Sequence, residues 1–139
     1  MGTKEGEKIR CGVAGVGYLG QHHARIYNSL DSCQLAGVYD PDPSARSAVS
    51  NAEDCEEFID LKTLGESCDV VSVVSPTDRH AEVAIPLMEA GCHVLIEKPF
   101  TVNAAQAKTL IELAKKNHCF LMEAVWTRFL PSILRLKSM

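Results

Sequence analysis

Apolar and polar positions along this chain follow two periods, and the two take turns from one end to the other. Short apolar runs at about 9–14, 34–39, 70–74, 94–96 and 120–125 have strand length. The run Val70-Val71-Ser72-Val73-Val74 is dense in β-branched residues, as expected of a strand buried on both faces. A short third strand or its turn falls at Phe58-Ile59. Helical patterns fill the gaps at about 18–30, 44–52 and 60–66, then from a cap at Thr77 or Asp78 to a stop at Gly91. In that last helix Ala81, Ala84, Ile85 and Met88 mark the buried face, and Pro86 predicts a kink. Asn103 with Gln106 reads as a capping box for the next helix, which buries Ala107, Leu110, Ile111 and Ala114. One more helix begins near Leu130 and runs to Lys137. Alternation of this kind predicts an α/β fold, a doubly wound and mostly parallel six-stranded sheet of order 3-2-1-4-5-6 with helices on both faces. No linker, low-complexity segment or internal repeat interrupts it.

Between the first strand and the first helix stands Gly15-Val16-Gly17-Tyr18-Leu19-Gly20, a G-x-G-x-x-G motif. Twenty residues past Gly20, at the end of the second strand, comes Asp40. Strand, glycine turn, helix and a placed acid together form the dinucleotide-binding fingerprint of a Rossmann unit. Gly15 allows the tight turn, Gly17 lets backbone approach a pyrophosphate, and Gly20 lets helix and strand pack closely. The N–H groups of the loop, including Tyr18 and Leu19, face phosphate with the positive end of the helix dipole. Asp40 is placed to accept from ribose hydroxyls and to repel a 2′-phosphate, so NAD is expected over NADP. The ligand crevice belongs at the carboxyl ends of strands one and four. Ser75-Pro76-Thr77 and Glu97-Lys98 also fall at carboxyl ends of strands, so separate signals converge there.

Composition narrows the reading. With 139 residues, 46% hydrophobic and 23% charged, the chain suits one globular domain. The net charge of −4 is uneven: residues 98–139 hold seven Lys/Arg against two Glu. No clustered basic run accompanies that excess, so nucleic acid is not an expected partner. Glu53-Asp54-Cys55-Glu56-Glu57 reads as a solvated turn, and residues 1–8 as a polar, disordered tail. The six cysteines, at 11, 33, 55, 68, 92 and 119, have no C-x-x-C spacing; reduced thiols in a cytoplasmic protein are expected. No apolar stretch reaches membrane length and no signal peptide is visible, so no membrane partner is expected. No Cys/His/acid set has ligand spacing, which predicts no metal.

Lys98 at the end of the fifth strand is a candidate proton donor or electrostatic anchor for a substrate hydroxyl, with Glu97 beside it keeping it charged. An exposed ion pair before a proline turn is the alternative. His22 and His23 are adjacent on a helix and point about 100° apart, which suits surface or packing roles. His80 is open between a cofactor contact and a structural bond, while His93 and His118 look like turn residues.

Segments 12–25 (GVAGVGYLGQHHAR), 73–100 (VVSPTDRHAEVAIPLMEAGCHVLIEKPF) and 122–131 (MEAVWTRFLP) together resemble the Gfo/Idh/MocA family of NAD(P)-dependent oxidoreductases. Glu97-Lys98-Pro99 is that family's distinguishing mark, and 122–131 looks most like its dihydrodiol dehydrogenase branch, which tends to carry Arg where this chain has Asp40. The resemblance implies that Lys98 contacts nicotinamide and substrate. It also implies that Ser75, Pro76, Thr77 and His80 line the cofactor, that Glu97 lies near the nicotinamide ribose, and that Trp126 and Arg128 reach the nicotinamide side. Family members continue into a largely antiparallel substrate domain. Residues 9–128 then read as the cofactor domain and 129–139 as the start of a helix leading toward that absent domain. A chain of this extent is expected to bind dinucleotide without turnover. The alternative is a non-catalytic NAD-binding or scaffold module that oligomerises through its C-terminal segment.

Overall fold

A computed structural model describes residues 6–139; of the expected N-terminal tail, residues 1–5 lie outside the described residues. The elements follow in the order β1 (Ile9–Ala14), α1 (Gly20–Ser29), β2 (Cys33–Tyr39), α2 (Pro43–Glu53), β3 (Glu56–Phe58), α3 (Leu61–Ser67) and β4 (Val70–Val73). Then come a 3-10 turn (Thr77–Arg79), α4 (His80–Glu89), β5 (His93–Ile96), α5 (Ala104–Lys116), β6 (Leu121–Glu123), a second 3-10 turn (Trp126–Phe129) and α6 (Pro131–Lys137). The six strands pair in the order β3-β2-β1-β4-β5-β6, every pair parallel, as the alternation predicts.

Two apolar layers sandwich the sheet. Val13, Val16, Leu35 and Val38 pack with Ala24 of α1 and Val49 of α2 on one face. On the other, Val71, Val73, Val94 and Ile96 pack with Leu64 of α3, Leu87 and Met88 of α4 and Leu110 of α5. A strand covered on both sides has no polar face, which is why β4 reads as an unbroken apolar run. Its one polar residue, Ser72, is fully buried and shares a 2.7 Å hydrogen bond with the Tyr27 hydroxyl from α1. That satisfies a group whose burial would otherwise be costly. The surrounding burial pushes the Tyr27 hydroxyl above its ordinary range.

Several local expectations are corrected. Neither Thr77 nor Asp78 caps α4; Pro76 opens a 3-10 turn, with Arg79 N donating to Pro76 O at 2.8 Å. α4 continues through Pro86 as expected but is buried more widely than one stripe, since Val83 and Leu87 are buried while Ile85 is only half-buried. It lies between the sheet, α3 and α5, and so has apolar neighbours on several sides. Only half of the capping box forms: Asn103 accepts from Gln106 N at 2.9 Å, but the buried Gln106 Oε1 has no partner among the described residues. Ile111 on α5 is exposed. Glu56 and Glu57 belong to the edge strand β3 rather than to a turn, and His93 is the first residue of β5. β6 is cut to three residues because Val125 N and Trp126 N turn back onto the Glu123 and Ala124 carbonyls.

All six cysteines are free thiols, with Cys11, Cys68 and Cys92 buried. Burial raises their thiol pKa values, that of Cys68 to about 12, which makes them inert packing groups.

Candidate dinucleotide-binding site

The glycine loop leaves β1 at Ala14 and enters α1 at Gly20. Gly15 sits at φ +92°, a conformation L side chains avoid, and a Cβ there would lie 2.7 Å from Ser75 N at the end of β4. Gly20 is restricted differently from the expectation: its Cβ would collide with the Gly15 carbonyl oxygen, so its first constraint is closure of the loop itself. Around Gly17 a Cβ would meet nothing within 4 Å. Open space over Gly17 and an N-terminus of α1 that no side chain caps are what an incoming phosphate requires. Tyr18 and Leu19 are exposed.

Asp40 stands just past β2 and is held from two directions. One carboxylate oxygen accepts from Val16 N at 2.8 Å and the other from Asp42 N at 2.9 Å. The acid is thereby fixed against the glycine loop, and each oxygen retains further acceptor capacity. The Ser75 side-chain oxygen, at the end of β4 across from Gly15, is buried with no partner among the described residues. The uncapped helix end and the open space over Gly17 lie beside Asp40 at the carboxyl edge of the sheet, and the residues present fit a dinucleotide there.

Farther along the same edge, past β5, Lys98 is exposed and forms no ion pair among the described residues. Glu97 does not turn to the Lys98 ammonium. Its Oε1 lies 3.1 Å from His23 Nε2 on α1, and its Oε2 accepts from the Lys98 main-chain N at 3.0 Å. His23 therefore ties the strand end to the helix that begins at the glycine loop, a pairing that no spacing in the sequence announces. Glu123 on β6 plays a similar part, its Oε1 accepting from Phe100 N at 2.9 Å. The segment between these two anchors, Lys98-Pro99, contains a cis peptide bond. Trp126 and Arg128 follow in the exposed 3-10 turn beyond β6, and Ala124 N joins that end to Ile96 O at 2.8 Å.

His80 resolves toward structure. The side chain is buried, with Nε2 2.9 Å from Ser75 O and Nδ1 3.1 Å from Phe100 O. Both ring nitrogens face carbonyls, which leaves no polar edge for a ligand. The ring instead joins the Ser75 loop to the Lys98-Pro99-Phe100 turn from beneath.

Two open cavities lie elsewhere. A groove of about 600 Å³ follows the β6 edge between Phe100, Ile111 and Phe120. A cleft of about 980 Å³ opens near Arg10, Asp69 and His93, at the amino ends of the strands. Neither touches the glycine loop. Among the described residues no three His, Cys, Asp or Glu side chains converge as metal ligands, and no helix is long and apolar enough to cross a membrane.

Residues 9–125 match the family model described as an oxidoreductase family with an NAD-binding Rossmann fold. UDP-N-acetylglucosamine 3-dehydrogenase of Acidithiobacillus ferrooxidans is 40% identical over 130 residues, covering 94% of this chain and 41% of that protein. Its crystal structure superposes with a TM-score of 0.90 over 95% of this chain and 43% of that one. The scyllo-inositol 2-dehydrogenase (NADP(+)) IolU of Bacillus subtilis is 33% identical over 133 residues, covering 94% of this chain and 40% of that protein. The chain thus spans about 40% of the length of these relatives. By its family match and by a fold whose carboxyl edge carries glycine loop, acid and Glu-Lys-Pro turn, the chain belongs to the Gfo/Idh/MocA oxidoreductase family.

Proposed function

We propose that this chain is the NAD-holding part of a dehydrogenase that moves hydride between a sugar- or diol-type hydroxyl and nicotinamide. The observation that carries the reading is Asp40, fixed against Val16 N of the glycine loop where an adenosine ribose would lie. In this reading Gly15, Gly17, Tyr18, Leu19 and Gly20 wrap the pyrophosphate and Asp40 accepts from the ribose hydroxyls. Ser75, Pro76 and Thr77 line the crevice, and His80 holds that line from behind. Glu97, Lys98, Trp126 and Arg128 stand at the nicotinamide end. A bound nicotinamide dinucleotide supplies or accepts the hydride. Lys98, without an ion pair among the described residues, handles the hydroxyl proton or anchors the substrate oxygen, and His23 with Glu97 holds its main chain in place. The names of the relatives, dehydrogenases of a nucleotide sugar and of an inositol, support the substrate class. One of them is named for NADP, so the preference for NAD rests on Asp40 and not on the family. The chain alone is expected to bind without turnover, and its six free thiols suit a cytoplasmic protein.

Calorimetric titration of the chain and of Asp40→Ala with NAD and NADP tests the reading. Losing hydrogen bonds to a charged acceptor is expected to lower NAD affinity by about tenfold or more, with no matching loss for NADP. Equal NAD affinity in both proteins would sink the assignment.

A second reading has its own observation. Trp126 (59%), Phe129 (60%), Leu134 (51%) and Leu136 (67%) expose apolar surface along one short stretch. Such a patch favours association, and a scaffold that oligomerises through this segment is the alternative role. Static light scattering is expected to give a mass that rises with concentration; a monomer at the highest concentrations would remove this reading.

A further inference from the structure

We propose that Glu57 is a specificity-determining residue that withholds Arg46 from the 2′ position of the adenosine ribose, and so keeps the site selective for NAD against NADP. The inference rests on the dinucleotide reading above. Arg46 lies in the first turns of α2, and its Nη1 donates to the Asp40 main-chain oxygen at 2.8 Å. Its guanidinium therefore sits at the strand end whose carboxylate is assigned to the ribose. A guanidinium there, free to turn, is the group that would hold a 2′-phosphate through paired, charge-assisted hydrogen bonds.

It is not free. Nε of Arg46 donates to Glu57 Oε2 at 3.0 Å, and Glu57 Oε1 accepts from the Ser47 hydroxyl at 2.8 Å. The pair is partly shielded, with side-chain exposures of 13% for Arg46 and 34% for Glu57, so solvent and salt weaken it less than an open surface pair. Glu57 comes from β3, where it sits in register with Val38, outside both the glycine loop and the Asp40 turn. The fingerprint asks for no acid on that strand. The two acids thus do different work: Asp40 repels a 2′-phosphate directly, while Glu57 neutralises and pins the cation that would attract one.

The test is calorimetric titration with NAD and NADP, reading the ratio of the two affinities. Glu57→Gln keeps the side-chain shape and removes the charge. It is made in the unmodified chain and in Asp40→Asn, where direct repulsion is gone. In the Asp40→Asn background the ratio is expected to move toward NADP by about tenfold on Glu57→Gln, with a smaller shift in the unmodified chain. Adding Arg46→Met is expected to erase the gain in both. A ratio that Glu57→Gln leaves unchanged would overturn the proposal. So would a gain that survives Arg46→Met, which would reflect only the loss of a negative charge. If the unmodified chain binds neither dinucleotide, the proposed function fails and this inference with it; if binding occurs and the ratio does not move, this inference fails alone.

Discussion

Asp40 has two carboxylate oxygens, and main-chain N–H groups from Val16 and Asp42 engage both. Its position twenty residues after Gly20 was readable from spacing; the bond that fixes it against the loop was not, because that bond joins residues 24 positions apart. His23 and Glu97 repeat the point across 74 positions. Adjacent histidines on a helix suggest no partner, and only the sheet order brings the end of β5 beside α1. Asp69, at the opposite end of the sheet, carries a prediction of its own. Arg10 donates to it from its guanidinium at 2.8 Å and from its main-chain N, also at 2.8 Å. The Arg10 side chain holds the Asp69 carboxyl below the usual carboxylate range. The folded state therefore binds that proton less readily than the unfolded chain. The resulting stabilisation is present above about pH 4 and is lost as pH falls through the folded value. Asp69→Asn is expected to lower the melting temperature near neutral pH and to converge with the unmodified chain in acid. Both side chains are more than 40% exposed, so the difference stays under about 1 kcal/mol. A gap that persists unchanged into acid would contradict the assignment.

Elements were legible where one physical signal dominated. The β-branched run of β4, the Gly91 stop and the Asn103 cap left little competition, and these features stand where the pattern puts them. Errors cluster where tertiary contacts compete with local signals. Thr77 and Asp78 have cap chemistry, yet the Pro76 carbonyl takes Arg79 N and a 3-10 turn forms instead. Glu56 and Glu57 read as a solvated turn by charge density; they are exposed, yet they form a strand, paired with Gly37 and Val38 along the edge of the sheet. β6 is shorter than its apolar run because its chain turns back at Val125. Of the candidate site, the glycine loop, Asp40 and Glu-Lys-Pro were readable in sequence. The anchors beneath them, His23, His80 and Glu123, show their roles only in three dimensions.

At the scale of the whole molecule, the parallel order β3-β2-β1-β4-β5-β6 brings the glycine loop, Asp40, the Ser75 loop and the Lys98 turn to one edge of the sheet. Ligand sites in such sheets fall where the strand order reverses, here between β1 and β4. This edge is where the folded chain is proposed to hold NAD. A ligand that binds only the native state must raise its stability, by about 2.7 kcal/mol at a hundred times its dissociation constant. For a domain of this size that corresponds to a melting temperature higher by roughly 5–10 °C. The most direct measurement is the melting temperature of the chain with and without millimolar NAD. The melting temperature is expected to rise with NAD concentration; a melting temperature that NAD leaves unchanged would contradict binding at this edge.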